Sequence, residues 1–131
     1  MQENNIRYAT QIGCDVESSK DSIELAKKYE PYFATIGYHP TESQTLKADD
    51  IPGKVMELEK LLLENRGYIV AVGEIGLDYF HLEPGKEGEQ KEVQKLLFFA
   101  MAELAVKYNL PAIIHTRNAR EDILQCIKES G

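Results

Sequence analysis

Apolar and polar positions along this chain switch between a two-residue and a 3.6-residue period, the marks of strands and helices respectively. Arg7 to Cys14, Arg-Tyr-Ala-Thr-Gln-Ile-Gly-Cys, reads as a strand. Asp15 and the Ser18/Ser19 pair then offer helix N-caps, with Ser18 and Asp21 at capping-box spacing. Ile23, Ala26 and Tyr29 recur on one helical face, and Pro31 pushes the residue before it out of the helical region, so the helix ends near Tyr29. Tyr32 to Pro40 reads as a strand closed by His39-Pro40, and Thr41 to Asp50 as a polar loop. Asp50 with Pro52 marks a helix start; Val55, Leu58, Leu61 and Leu62 form its apolar stripe, and Gly67 is its expected C-terminal cap.

Tyr68 to Val72 is a short apolar run of strand type, ending in Gly73 and Glu74. Period-two alternation puts Glu74 on the face of Val70 and Val72. After a loop from His81 to Gly88 comes the longest helical pattern, with Val93, Leu97, Ala100, Met101, Leu104 and Ala105 on one side. Asn109 and Pro111 stop it, and Ala112-Ile-Ile is a short buried strand with His115 as its last residue. The final helix is expected to start at Asn118, with Glu121 at capping spacing, and to use Ile123, Leu124 and Ile127 as its core face. Four strands alternating with four helices predict parallel βαβ units with right-handed crossovers.

That topology gives the polar residues at strand ends a meaning, because such folds bind ligands beyond the carboxyl ends of their strands. His39, Glu74 and His115 all fall at such ends. Taken singly, Glu74 reads as a solvated carboxylate in a βα loop, His39 as a turn cap and His115 as a satisfied core histidine. Together they point to one shared site, since a carboxylate facing a sheet interior needs a metal, a cation or several hydrogen bonds.

At 131 residues and 43% hydrophobic content the chain has the size and composition of one soluble domain. A net charge of −7, from 15 basic and 22 acidic residues, argues against broad electrostatic capture of nucleic acid. It leaves room for a phosphate substrate, since a bound divalent cation reverses the field locally. Neither a basic stripe nor an aromatic stacking platform is legible in the residue order. Cys14 and Cys126 lack the spacing of a disulfide framework or zinc knuckle and read as reduced core residues. The absence of a membrane-length apolar run and of signal-peptide features gives a cytoplasmic expectation. Dinucleotide binding is a poor reading, because Gly73-Glu74-Ile75-Gly76 lacks the required glycine spacing.

Three motifs carry a resemblance. Gly37-Tyr38-His39-Pro40, Gly73-Glu74-Ile75-Gly76-Leu77-Asp78 and Pro111-Ala112-Ile113-Ile114-His115-Thr116-Arg117 resemble, in order, signatures of the TatD-like metal-dependent hydrolases. Gln94 and Phe98 sit in the helix where that family has a similar Gln and Phe. The match runs from about Gln11 onward. It implies a (β/α)8 barrel of the TIM type and a deoxyribonuclease or related phosphodiesterase that uses two divalent cations, with Mg, Mn and Zn as candidates. Carried across, Glu74 and His115 are metal ligands and catalytic residues, and His39 and Arg117 lie with the substrate. Asp78 orients or pairs charge, an ordinary surface salt bridge being its bland alternative.

A full member also begins with a His-x-His strand and supplies a further His and a late Asp, which these residues do not include; a complete barrel of this kind typically needs about 250 residues. The expectation is therefore one partial domain over residues 1–131, corresponding to the second to fifth βα units, a parallel (βα)4 segment truncated at both ends. DNA or another phosphodiester is the implied substrate. The competing reading is an inactive half-barrel scaffold or weak metal- or phosphate-binding module. On either reading the isolated chain is expected to hydrolyse little and to self-associate through open sheet edges. His81 matches no motif and reads as a surface loop residue.

Overall fold

The computed structural model describes residues 2–131. Its elements are β1 (Ala9–Gln11), α1 (Val16–Lys28), β2 (Tyr32–Ile36), α2 (Ile51–Glu64), β3 (Ile69–Asp78), α3 (Glu87–Lys107), β4 (Ala112–Arg117) and α4 (Arg120–Ser130). Short 3-10 turns occupy Gln2–Asn4, Pro40–Thr45 and Ala48–Asp50, so the expected polar loop after His39 is partly helical. The strands form one sheet in the order β1-β2-β3-β4, every pair parallel, and each strand is followed by a helix.

The core lies between helices and sheet. Ile23 of α1, Leu58 and Leu62 of α2, Leu97 and Met101 of α3, and Ile36, Val72, Ile75 and Leu77 of the strands are buried there. Each fully buried aliphatic side chain of this kind contributes roughly 1.5–3 kcal/mol. These packed helices hold the sheet from one side and leave its carboxyl end free for chemistry.

Local signals that the residue order suggested are met by different atoms in three places. Asp15, not Ser18, caps α1: its carboxylate accepts from the Ser18 N–H at 2.7 Å, while Ser18 Oγ accepts from the Cys14 and Asp15 N–H groups at 2.8 and 2.9 Å. The capping box therefore lies one turn earlier than Ser18 with Asp21. Gly67 caps nothing, because α2 already ends at Asn65, whose N–H donates to the Leu62 carbonyl. In α4 the N-cap is Ala119, and Asn118 takes a positive φ of 54° before it. The core face of this helix is Ile123 with Cys126, while Leu124 and Ile127 are 49% and 40% exposed.

The larger differences lie in the two strands that carry the candidate site. β3 does not stop at Glu74; it continues through Asp78, because Ile75 and Leu77 are buried and pair with Ile114 and Thr116 of β4. β4 likewise runs past His115 to Arg117. Strict alternation from Val70 to Glu74 is broken twice. Pairing slips between Ala34 and Thr35 opposite β3, leaving Val70 the extra residue and partly exposed, and slips again between Gly73 and Ile75 opposite β4, leaving Glu74 the extra residue. Such bulges re-aim side chains.

Candidate metal centre

Glu74 projects from the bulge between two imidazoles. Its Oε2 lies 3.6 Å from Nε2 of His39, and its Oε1 lies 3.8 Å from Nδ1 of His115. The two rings approach to 4.5 Å between centroids, and one donor atom from each of the three residues lies within 4.8 Å of the other two. All three side chains are partly exposed, so the cluster is open to solvent and ligand.

The backbone beneath the cluster is drawn tight by contacts between distant residues. The Thr35 hydroxyl, fully buried, donates to the Gly73 carbonyl at 2.6 Å and accepts from the Gly13 N–H at 3.1 Å, tying β2 to β3 and to the chain just beyond β1. The Glu74 N–H donates to the Gly13 carbonyl at 3.0 Å. At Gly37 a Cβ would sit 2.3 Å from the Gly73 carbonyl carbon, so the glycine of that motif is required by the closeness of β3.

Asp78 organises the other side of the site. Its side chain is wholly inaccessible, and both of its backbone polar groups are taken by one side-chain amide: Gln94 Oε1 accepts from the Asp78 N–H and Gln94 Nε2 donates to its carbonyl, each at 2.9 Å. Carboxylate Oδ1 accepts from the Phe80 N–H at 3.0 Å. Oδ2 lies 2.9 Å from Nε2 of His115 and accepts from Nε of Arg117 at 3.1 Å. Burial pushes the Asp78 carboxyl up, but His115, the Phe80 N–H and Arg117 outweigh it and hold the group below the ordinary carboxylate value.

These contacts determine where the protons sit. With Asp78 ionised, a neutral His115 carries its proton on Nε2, and the Nδ1 lone pair is left facing Glu74. His39 has the opposite arrangement. Its Nδ1 accepts from the Thr41 N–H at 3.1 Å, so the neutral ring carries its proton on Nε2 and presents a donor to the cluster. Burial, reinforced by the neighbouring His115, lowers the His39 pKa and favours that neutral form.

The donor set fits a divalent cation. A metal about 2.1 Å from an imidazole nitrogen and a carboxylate oxygen holds them roughly 3–4 Å apart, the range found between His115 Nδ1 and Glu74 Oε1. Among the described residues His39, Glu74 and His115 are the cluster with metal-ligating spacing.

Comparison with known proteins identifies the lineage. The family model described as TatD related DNase matches residues 1–131. The chain belongs to the TatD family. Among curated TatD-type relatives, Deoxyribonuclease Tat-D of Schizosaccharomyces pombe is 34% identical over 123 residues, covering 89% of this chain and 38% of the relative. The uncharacterized metal-dependent hydrolase YabD of Bacillus subtilis is 32% identical over 120 residues, covering 92% and 43%. The crystal structure of a hydrolase TatD family protein from Entamoeba histolytica superposes with a TM-score of 0.84 at 32% identity, over 99% of this chain and 43% of that one. The chain thus spans less than half the length of the TatD proteins it matches, and its four parallel strands form a curled half of their barrel.

Two participants acquire their roles only in three dimensions. Thr35 looks like any β-branched strand residue, and its role appears only once Gly13 and Gly73 are brought to it. Gln94 did leave a signal: a polar residue on the buried face of α3 beside Val93 and Leu97 needs a partner, and that partner is Asp78.

Proposed function

We propose that this chain carries part of a divalent-metal centre that hydrolyses phosphodiester bonds, with DNA as the substrate. The observation that carries the reading is the fixed ring of His115, held by a buried carboxylate so that its free nitrogen faces Glu74. Glu74 and His115 are the metal ligands on this chain, and imidazole with carboxylate suits Zn and Mn, with Mg held mainly through the carboxylate. A divalent cation held by Glu74 and His115 would supply Lewis-acid polarisation of the phosphodiester and activation of water near neutral pH. Around that chemistry the protein's own residues bind and orient. His39, with its proton on Nε2, donates to a phosphate oxygen instead of ligating metal. Arg117, anchored through Nε on Asp78, offers its remaining N–H groups to the same anion. The relatives' names, a deoxyribonuclease in S. pombe and a metal-dependent hydrolase in B. subtilis, support the reaction class.

One observation favours a second reading, a module that binds metal or phosphate without turnover: the described residues bring one carboxylate and two imidazoles together, fewer donors than a two-cation site needs. The hydrolase reading and a metal-binding module both predict metal uptake. Titration of Mn or Zn into the chain, followed by calorimetry and by the rise in melting temperature, is expected to show saturable binding. Glu74→Gln should abolish that rise while changing the metal-free stability by less than about 1 kcal/mol, because its side chain is partly exposed; His115→Ala should abolish it too but cost roughly 1–3 kcal/mol, because the buried Asp78 loses a hydrogen-bond partner. His39→Ala should keep the rise. Absence of uptake by the unaltered chain would remove the hydrolase reading and leave at most a phosphate-binding module, and hydrolysis of a DNA substrate under the same metal separates the two readings.

The open edges belong to the same proposal. β1 and β4 are each paired on one side only, and Tyr8 and Ile114 beside or on them are 69% and 40% exposed. Concentration-dependent mass in light scattering is the expected result; a monomer at every concentration would refute it.

A further inference from the structure

Phe80 leaves the end of β3 with 59% of its surface exposed, yet it is held on every side that the protein offers. Its N–H is bound to Asp78 Oδ1. The Arg117 guanidinium carbon lies 4.5 Å from the centroid of its ring, and the His81 ring meets it edge-on, 4.9 Å between centroids at 90°. His81 is itself tethered, with Nε2 at 2.7 Å from Arg117 Nη2 and its carbonyl accepting from Gln44 Nε2 at 2.5 Å. The loop position expected for His81 is therefore correct, but the residue is part of a built cluster.

An exposed, immobilised aromatic ring with a guanidinium against it suits a ligand that is flat, polarisable and linked to negative charge. Its ring is oriented by Arg117 and His81 before any ligand arrives, so stacking a ligand on it costs less ordering than on a free side chain. Its position narrows the chemistry further. Arg117 touches Phe80 and also shares Asp78 Oδ2 with His115, so the ring stands next to the metal-ligating cluster. A phosphodiester held there carries its own flat group one sugar away.

We infer that Phe80, fixed by Arg117 and His81, is the stacking subsite for the nucleobase adjacent to the phosphate held at Glu74 and His115. The inference rests on the phosphodiester reading of that cluster. It makes the preferred ligand a base-bearing strand over a bare sugar-phosphate, and it supplies the aromatic platform that the residue order did not reveal.

The test uses the full chain with manganese and two oligonucleotides of equal length and charge, both with phosphorothioate linkages to slow cleavage. One carries 2-aminopurine and the other an abasic site at the same position. The chain contains no Trp, so 2-aminopurine emission reports its own stacking. Binding of the first probe is expected to quench its emission and to be about tenfold tighter than binding of the abasic probe. Phe80→Leu should remove the quenching and bring the two affinities together, and Phe80→Tyr should keep both, with circular dichroism confirming that each variant is folded. Equal affinity for the two probes without quenching, or quenching that survives Phe80→Leu, overturns the subsite and leaves the metal and phosphate reading standing. Binding of neither probe overturns both.

Discussion

Gly76→Ala is expected to strip roughly 4 kcal/mol or more from the stability of the fold. Gly76 has a φ of +146°, in the region that favours glycine, and it pairs with His115 across the β3/β4 ladder. A Cβ there would lie 1.9 Å from the His115 carbonyl oxygen and 2.9 Å from its carbonyl carbon, against backbone that cannot swing aside as a side chain would. Relief requires β4 to move, and β4 is joined to β3 by six paired residues from Val72 to Asp78. Backbone strain and overpacking together put the cost at roughly 4 kcal/mol or more, a large share of the 5–15 kcal/mol typical of a folded domain. Gly85→Ala is the control, because Gly85 also has a positive φ, 85°, but has open space around its Cβ. It should cost only about 1 kcal/mol. Thermal melts followed by circular dichroism compare the two, and a Gly76→Ala chain that melts with the Gly85→Ala chain would show that the strands are not packed as described.

Asp78→Asn should combine a loss of stability with a loss of metal. Asparagine keeps the size of the side chain but replaces one acceptor oxygen with a donor. If its oxygen stays on the Phe80 N–H, its NH2 faces Nε of Arg117, donor against donor, and Nε2 of His115. His115 can then accept only by moving its proton to Nδ1, the nitrogen that faces Glu74. A ring protonated there has no lone pair for a cation. Turning the amide over instead leaves the Phe80 N–H without its acceptor. Either way charge-assisted hydrogen bonds to a buried group are lost, at roughly 2–3 kcal/mol, or a melting point lower by roughly 10 °C. Metal affinity should fall by roughly 10- to 100-fold, the usual penalty for removing a carboxylate behind a ligating histidine. Calorimetric titration of the folded variant measures it; affinity equal to that of the unaltered chain would mean that Asp78 does not set the His115 tautomer.

Both predictions turn on contacts between residues far apart in sequence, and the same distinction separates what was legible in the residue order from what was not. Helical and strand periods, proline and glycine stops, and the alternation of four strands with four helices are encoded within windows of ten to twenty residues. The parallel sheet could therefore be read directly, and the three motifs led to the TatD family that the whole-chain match shows. Local reading failed where the decisive partner was remote. It ended β3 at Glu74 because Gly73 and Gly76 look like turn residues, whereas they are small so that β4 can lie against them. It put Glu74 on the face of Val70, since no single strand records the register slips that its neighbours impose. It named an orienting or charge-pairing role for Asp78 but left a surface salt bridge open beside it, because Gln94, His115 and Arg117, which enclose it, are 16 to 39 positions away. The chain by itself thus determined its elements, their order and its family, because those depend on side-chain period, type and motif. Only the tertiary structure decided which nitrogen of each histidine faces Glu74 and that Phe80 and Arg117 stack beside them, because ring orientation and stacking follow from distances that no local pattern contains.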